Sequence, residues 1–193
     1  MKNGILGVDL GCGIGQNVDL LSPLAQVCIG IDLSLKLLHQ AKLRYSHLIQ
    51  ADVQAIPFRG EIFDLGLCIA VLHHVLGRDA RQQAVVEMKR IMTTGGTLLI
   101  SVWRRWQYRF RKIFLQEGFR NAALYFPAGT REFGDIDIGW TDSTTHQRSP
   151  RLYHLFTQSE MRDLLKVFHI MLVKLAGHQE SKDNYLACVT KER

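Results

Sequence analysis

The chain has 193 residues, the size of one folded unit, and 47% of them are hydrophobic, 22% charged and only four proline, which excludes a disordered, collagen-like or low-complexity protein. Its longest apolar runs, such as Leu65 to Leu72, fall short of the roughly 18 residues of a membrane span, and the opening residues lack the basic-then-apolar layout of a secretory leader. A cytoplasmic protein with no membrane partner is therefore expected, and its net charge of +6 points toward anionic partners.

The short apolar run Ile5 to Leu10 stops at a glycine cluster and gives way to a helix-like stretch through Val18, Leu20 and Leu21. A second run, Val27 to Ile31, ends on Asp32, after which Ser34 can cap a helix with Leu35, Leu37, Leu38 and Ala41 on its apolar face. His47 to Ala51 reads as a third strand ending at Asp52. Phe63 to Val71 reads as a fourth, and its unbroken apolarity suits a central parallel strand buried on both faces. A helix from Asp79 to Met92 presents Ala84, Val85, Met88 and Ile91 on one side, and Gly95-Gly96 then feeds a strand from Thr97 to Val102. Residues 103 to 150 read as an irregular insertion, rich in aromatics, arginine and glycine, that carries specificity. The pattern resumes with a helix near Gln158 to Val167 and strands near His169 to Leu175 and Asn184 to Val189. This alternation predicts an α/β fold: a single domain built on a doubly wound, mostly parallel, seven-stranded sheet, with ligands at the carboxyl ends of the strands near the topological switch point. Cys12, Cys28, Cys68 and Cys188 stand singly in apolar stretches without CxxC spacing, as reduced core thiols rather than metal ligands.

The segment Asp9-Leu10-Gly11-Cys12-Gly13-Ile14-Gly15 ends the first strand on an acid and puts glycines at alternate positions where the backbone turns close to a ligand. A dinucleotide fingerprint would have its third glycine one residue later, where Gln16 stands, and an acid before the turn repels a pyrophosphate. That acid suits a cationic ligand, such as the amino group and sulfonium of S-adenosylmethionine. Asp32 ends the second strand, where a carboxylate can accept from both hydroxyls of an adenosine ribose. Asp52 can accept from the adenine amine while Ile31, Leu33 and Val53 sandwich the ring. Any one such Asp also serves as a cap or turn residue; three at successive strand ends make a site.

With the acid-preceded turn at 9 to 15, Asp32, Asp52 and the fourth strand from Phe63-Asp64, residues 4 to 102 resemble the class I S-adenosylmethionine-dependent methyltransferases. The resemblance implies S-adenosylmethionine as cofactor, held by Asp9, Gly11, Gly13, Gly15, Asp32, Leu33, Asp52, Val53 and Ile69. It also implies a helix between the third and fourth strands, for which Gln54 to Ile62 is short.

Four further blocks narrow the family: Ile69-Ala70-Val71-Leu72-His73-His74, Ile100-Ser101-Val102-Trp103, Gly134-Asp135-Ile136-Asp137-Ile138-Gly139-Trp140 and Arg151-Leu152-Tyr153-His154-Leu155-Phe156. Together they are similar to the tRNA wobble-uridine methyltransferases, including the methyltransferase domain of the AlkB-like tRNA hydroxylase. The resemblance implies conversion of 5-carboxymethyluridine in the anticodon loop of tRNA to its methyl ester, in a heterodimer with a small zinc-binding activator protein. A carboxylate with a reference pKa near 4 is ionised at neutral pH and needs alignment rather than a general base. The expected roles are Arg151 as a clamp on the carboxymethyl group, Tyr153 and His154 bordering the uracil, and His73 or His74 orienting the nucleophile. A packing or capping role accounts for the His pair, and a surface role for Arg151, as well as these do. The family's segment before the first strand is matched here only by Met1 to Gly4, Leu152 replaces an aromatic of the family pattern, and Gly139 replaces a proline.

Residues 101 to 125 hold six cations (Arg104, Arg105, Arg109, Arg111, Lys112 and Arg120) against the single anion Glu117. Interleaved with Trp103, Trp106, Tyr108 and Phe110, they suit a single-stranded RNA loop. The spacing of Trp103, Trp106, Phe110 and Phe114 equally describes the core face of a helix with a basic solvated side. Two other readings stay open: a class I methyltransferase for a small-molecule acid or another nucleobase, and a non-catalytic cofactor- or tRNA-binding subunit. The third-strand edge around His47 to Ala51 is where a small partner protein is expected to add on.

Overall fold

The computed structural model describes residues 4–108, 110–116, 131–141, 148–177 and 182–193; Arg109, Glu117 and Arg120 lie outside these, as does the side chain of Trp140. In chain order the elements are β1 (Leu6–Leu10), α1 (Val18–Leu21), β2 (Val27–Asp32), α2 (Leu35–Ala41), β3 (His47–Gln50), β4 (Phe63–Ile69), a 3-10 turn (Leu72–His74), α3 (Arg78–Ile91), β5 (Met92–Trp103), β6 (Asp135–Thr141), β7 (Arg148–His154), α4 (Gln158–Leu164), β8 (His169–Ala176) and β9 (Asn184–Thr190). A helical stretch also spans 111–116.

Seven strands form one sheet in the order β3-β2-β1-β4-β5-β9-β8. The five from β3 to β5 are parallel, while β9 runs antiparallel to both its neighbours. The chain walks outward from β1 to β3, returns to β4 beside β1 and then walks the other way. The strand order therefore reverses between β1 and β4, and the carboxyl ends of those two strands frame the crevice where a ligand fits. Val8, Leu10, Ile31, Phe63, Cys68, Leu98 and Ile100 are buried in the main core, and α3 seals it with Ala84, Val85, Met88 and Ile91. Ser34 caps α2 by accepting from the Leu37 amide at 3.3 Å, and Thr157 and Glu160 form a capping box on α4. All four cysteines are free thiols, Cys12 and Cys68 buried and Cys28 and Cys188 half-buried. No helix among the described residues is long and apolar enough to cross a membrane.

Three sequence expectations are corrected. On α2 only Leu38 and Ala41 are buried; Leu35 is exposed and Leu37 lines the crevice instead of the core. No helix forms between β3 and β4. Arg90 on α3 donates to the Phe58 and Ile56 carbonyls at 2.6 and 2.9 Å, and Glu87 accepts from the Ile56 amide at 3.0 Å. Side chains of a neighbouring helix thus satisfy backbone groups that a helix would have paired internally.

The third correction concerns residues 103 to 150, which are not irregular throughout. β6 and β7 pair antiparallel as a separate two-stranded sheet, with Ile136 opposite Tyr153 and Ile138 opposite Arg151. Because side chains alternate along a strand, Arg151 and Tyr153 share one face of the hairpin while Leu152 and His154 take the other. Phe110, Phe114, Ile136, Tyr153 and Leu155 give the hairpin side a small core of its own.

Candidate active site

A cleft of about 600 Å³ opens at the carboxyl ends of β1, β2 and β4, lined by Gly11, Gly13, Asp32, Leu33, Ser34, Leu37, Ala51, Asp52, Val53, Gln54, Ala70, Val71, His74, Val75, Leu76 and Arg151. The sequence reading names eight of these: Gly11, Gly13, Asp32, Leu33, Asp52, Val53, His74 and Arg151.

The glycines of the turn answer two demands. Gly13 has φ +55°, and a Cβ there would meet nothing within 4 Å, so its side is open to the cleft and a side chain would stand where a ligand fits. Gly15 has φ +83° and does not line the cleft; a Cβ there would press on Arg44 and Tyr45 at 3.2 Å, so it serves packing. Asp32 ties the turn down: one carboxylate oxygen accepts from the Gly13 amide at 2.8 Å and the other from the Ser34 amide at 2.8 Å. Each oxygen retains acceptor capacity for a ligand hydroxyl. Asp52 accepts from the amide and side chain of Gln54 at 2.8 to 3.3 Å, capping the turn beyond β3 while lining the same cleft.

Asp9 lies behind the turn, fully buried, and does not line the cleft. Its carboxylate accepts from the Tyr45 hydroxyl at 2.8 Å, and burial pushes its pKa up to about 6 against the lowering effect of that bond. Ile31 is likewise buried in the core rather than facing the cleft, and Ile69 is half-buried in β4 without lining it. The turn after β4 presents Ala70 and Val71 in its place. Ala70 adopts φ +60°, with its amide donating to the Ser101 hydroxyl at 3.0 Å. That outlier has no signature in the sequence.

The two histidines of the 3-10 turn separate. His74 is exposed to the cleft, and burial of its ring together with the Arg151 charge lowers its pKa, opposed by Asp32. His73 is fully buried, stacked on Trp103 at 4.4 Å between centroids, and neither ring nitrogen has a hydrogen-bond partner. Burial holds it neutral, well below the ordinary imidazole range. Tyr153 is buried too, stacked on Trp103 at 5.0 Å and against His74 at 4.8 Å, so it touches the cleft only through that ring.

His154 is not in this cleft. It lies on the opposite face of the hairpin, its Nδ1 2.7 Å from Asp135, and lines a second cavity of about 320 Å³ with Arg81, Glu132 and Glu160. Arg81 pairs with Glu132 at 2.5 Å, and Arg105 with Glu160 at 2.6 Å. Arg105 is buried and also donates to the Leu155 and Phe133 carbonyls, so it leaves the basic surface expected of the insertion. Among the described residues no group of three or more His, Cys, Asp or Glu is placed to hold a metal.

The cleft thus gathers carboxylates at the β2 and β3 ends, an open glycine turn, apolar walls and one guanidinium from the hairpin. This donor set fits a ligand with vicinal hydroxyls, an aromatic base and a cationic centre. Residues 8–100 match a family model described as Methyltransferase domain. Over its whole length the chain superposes with a TM-score of 0.76 on a crystal structure of an S-adenosylmethionine-dependent methyltransferase from Methanosarcina mazei, at 20% identity and covering 94% of that chain; at this identity the likeness speaks for the fold. Fold, domain and cleft define the class: the chain is an S-adenosylmethionine-dependent methyltransferase of the class I fold.

Relatives carry the comparison further. The chain is 28% identical over 194 aligned residues to a Schizosaccharomyces pombe (strain 972 / ATCC 24843) protein named tRNA (carboxymethyluridine(34)-5-O)-methyltransferase, covering 97% of this chain and 82% of that protein. An Arabidopsis thaliana protein of the same name is 34% identical over 103 residues, covering 53% of this chain and a quarter, 25%, of the relative.

Proposed function

We propose that this chain transfers a methyl group from S-adenosylmethionine to the carboxylate of 5-carboxymethyluridine at the wobble position of tRNA, forming the methyl ester in the cytoplasm. The observation that carries the reading is Arg151: the hairpin delivers a guanidinium to the rim of the cofactor cleft beside His74. The fission yeast relative, matched over nearly the whole chain, supports the same substrate.

The cofactor supplies a methyl group made electrophilic by its sulfonium. In this reading Asp32 accepts from the ribose hydroxyls, Leu33 and Val53 border the adenine, Asp52 accepts from its amine, Gly13 gives the ligand room for close approach, and Gly11 lines the cleft while making room for Val71 of the wall. Asp9 acts from behind the turn, as a negative charge attracting the cationic part of the ligand. Arg151 holds the acceptor carboxylate through paired N–H donors, the geometry a guanidinium offers to a carboxylate. His74 is neutral at physiological pH and orients that carboxylate without repelling the methyl donor or taking a proton. Tyr153, itself stacked on Trp103, backs His74 and excludes water. Residues 103–150 serve as the substrate-facing part of a single domain.

A small zinc-binding activator fits the exposed edge of β3. There a groove of about 400 Å³ is lined by Val27, Ile29, Ser46, His47, Leu48 and Ile49, beside the strand that forms the sheet edge among the described residues.

The test is transfer of labelled methyl to tRNA bearing 5-carboxymethyluridine, with and without the activator, followed by mild alkali. Alkali-labile label is expected. Label that survives alkali would move the acceptor to a base or ribose, and absence of label with cofactor bound would overturn the catalytic reading.

A further inference from the structure

The segment leaving β5 carries a surface that the methyl-transfer chemistry does not use. Trp106 and Phe133 are 48% and 50% exposed, although both rings pack against the same buried ring, Phe114, at 5.2 and 5.4 Å. Tyr108, 82% exposed, and the exposed Arg111 and Lys112 stand in the same segment, and no acid occurs anywhere from Trp103 to Gln116. The Phe133 ring has a second anchor. Arg105, fixed by Glu160 and two backbone carbonyls, lies 5.0 Å over the Phe133 ring and holds it by a cation–π contact. A monomer gains nothing by propping half-exposed aromatic rings on a dedicated buried ring, because burying them would be the more stable use of their area.

The placement joins this surface to the cleft. The segment starts at the carboxyl end of β5, the end of the sheet at which the cleft opens. There Trp103 stacks on Tyr153, which contacts His74 of the cleft wall. Fixed rings with open faces beside exposed cations suit unpaired nucleobases with phosphates alongside. A hydrophobic protein partner would gain nothing from the exposed charges of Arg111 and Lys112.

We propose that Trp106 and Phe133 are a stacking platform for unpaired anticodon-loop bases flanking the target nucleotide, with Arg111 and Lys112 contacting the adjoining phosphates. The inference rests on the tRNA reading and adds the surface by which the loop is recognised. The test is binding of a labelled anticodon stem-loop, and of a fully paired duplex of the same length, across a salt series. The proteins compared are the wild-type chain, the double variant Trp106→Ala/Phe133→Ala and the conservative Trp106→Phe.

Stacking by two rings predicts that the double variant binds the loop at least about tenfold more weakly. Duplex binding and S-adenosylhomocysteine affinity should be unchanged, and Trp106→Phe should retain loop binding. Loop affinity unaltered in the double variant would overturn the platform, as would equal losses for loop and duplex. A wild-type chain that binds no RNA would overturn both platform and tRNA reading. Loop binding does not require the carboxymethyl group, so failure of the ester chemistry is read separately in the alkali assay.

Discussion

Asp9 and Asp32 stand on either side of the same glycine turn and are governed by different physics. Asp9 is sealed against Tyr45 beside Cys12, Cys28 and the charge of Asp32, and burial lifts its pKa to about 6. Its folded-state pKa exceeds its unfolded one, so the folded chain holds a proton that the unfolded chain has already lost. Stability therefore falls as pH rises from about 4 to about 6, by up to about 3 kcal/mol, and is level above that window. Asp9→Asn is expected to flatten this part of the stability profile, measured by chemical denaturation across the same range. A cationic ligand in the turn favours the ionised form, so wild-type affinity for S-adenosylmethionine should rise through pH 6 while Asp9→Asn shows no such rise. Parallel calorimetric profiles would remove Asp9 from cofactor binding.

In the proposed function Asp32 works by direct contact. Asp32→Ala deletes the acceptors for the ribose and frees the Gly13 amide, and a loss of about 100-fold in cofactor affinity is expected from two charge-assisted hydrogen bonds. At this scale Asp32 is legible in the sequence because a strand-end acid after a glycine turn has a known place. The side to which Asp9 faces is not, since a strand terminus can turn its last side chains either way. The His pair is illegible for the same reason: successive residues of a short 3-10 turn diverge, sending one ring into the core and the other to the cleft.

In the proposed function the hairpin β6–β7 is the element that converts a cofactor cleft into a substrate site. Its pleat sends Arg151 to the cleft and His154 to the second cavity, where the buried His154 and Asp135 join Glu132 and Arg81 in an ionic network, with the Arg105–Glu160 pair close by. Burial alone would raise the Asp135 carboxyl, yet bonds from His154 and the Glu132 amide and the nearby Arg81 charge hold it below the usual carboxylate range. Removing one member of such a network strands the others. Asp135→Ala should cost about 3–5 kcal/mol of stability in a denaturation curve, with Asp135→Asn recovering part of it. Because the network fixes the strand that carries Arg151, Asp135→Asn should raise the KM for tRNA while cofactor affinity stays unchanged; equal effects on both would make the network merely structural. The alternation Asp135-Ile136-Asp137-Ile138 announces a strand by its period of two. The reading as an irregular insertion gives more weight to the aromatic and basic composition around it than to those four residues.

For the whole molecule, five parallel strands follow from apolar runs punctuated by glycines and acids, and the reversal beside β1 sets the cleft at their carboxyl ends. The turn-only link between β3 and β4 depends on Arg90 and Glu87, distant in sequence, and could not be read from the segment itself. Charge shows the same limit. The six cations of 101–125 look equivalent in sequence, but Arg105 is an internal strut while Arg111 and Lys112 face solvent. Composition counts charges, and only packing sorts them into those that hold the fold and those available to a polyanion.

In the proposed reaction one cleft holds the methyl donor by its acids and the acceptor carboxylate by Arg151. The decisive experiment is single-turnover methyl transfer to tRNA carrying 5-carboxymethyluridine by Arg151→Ala saturated with S-adenosylmethionine, alongside its cofactor affinity. Transfer should fall about 100-fold, the worth of a charge-assisted clamp on the reacting group, with cofactor affinity unchanged. A wild-type transfer rate in that variant would remove Arg151 from the acceptor site.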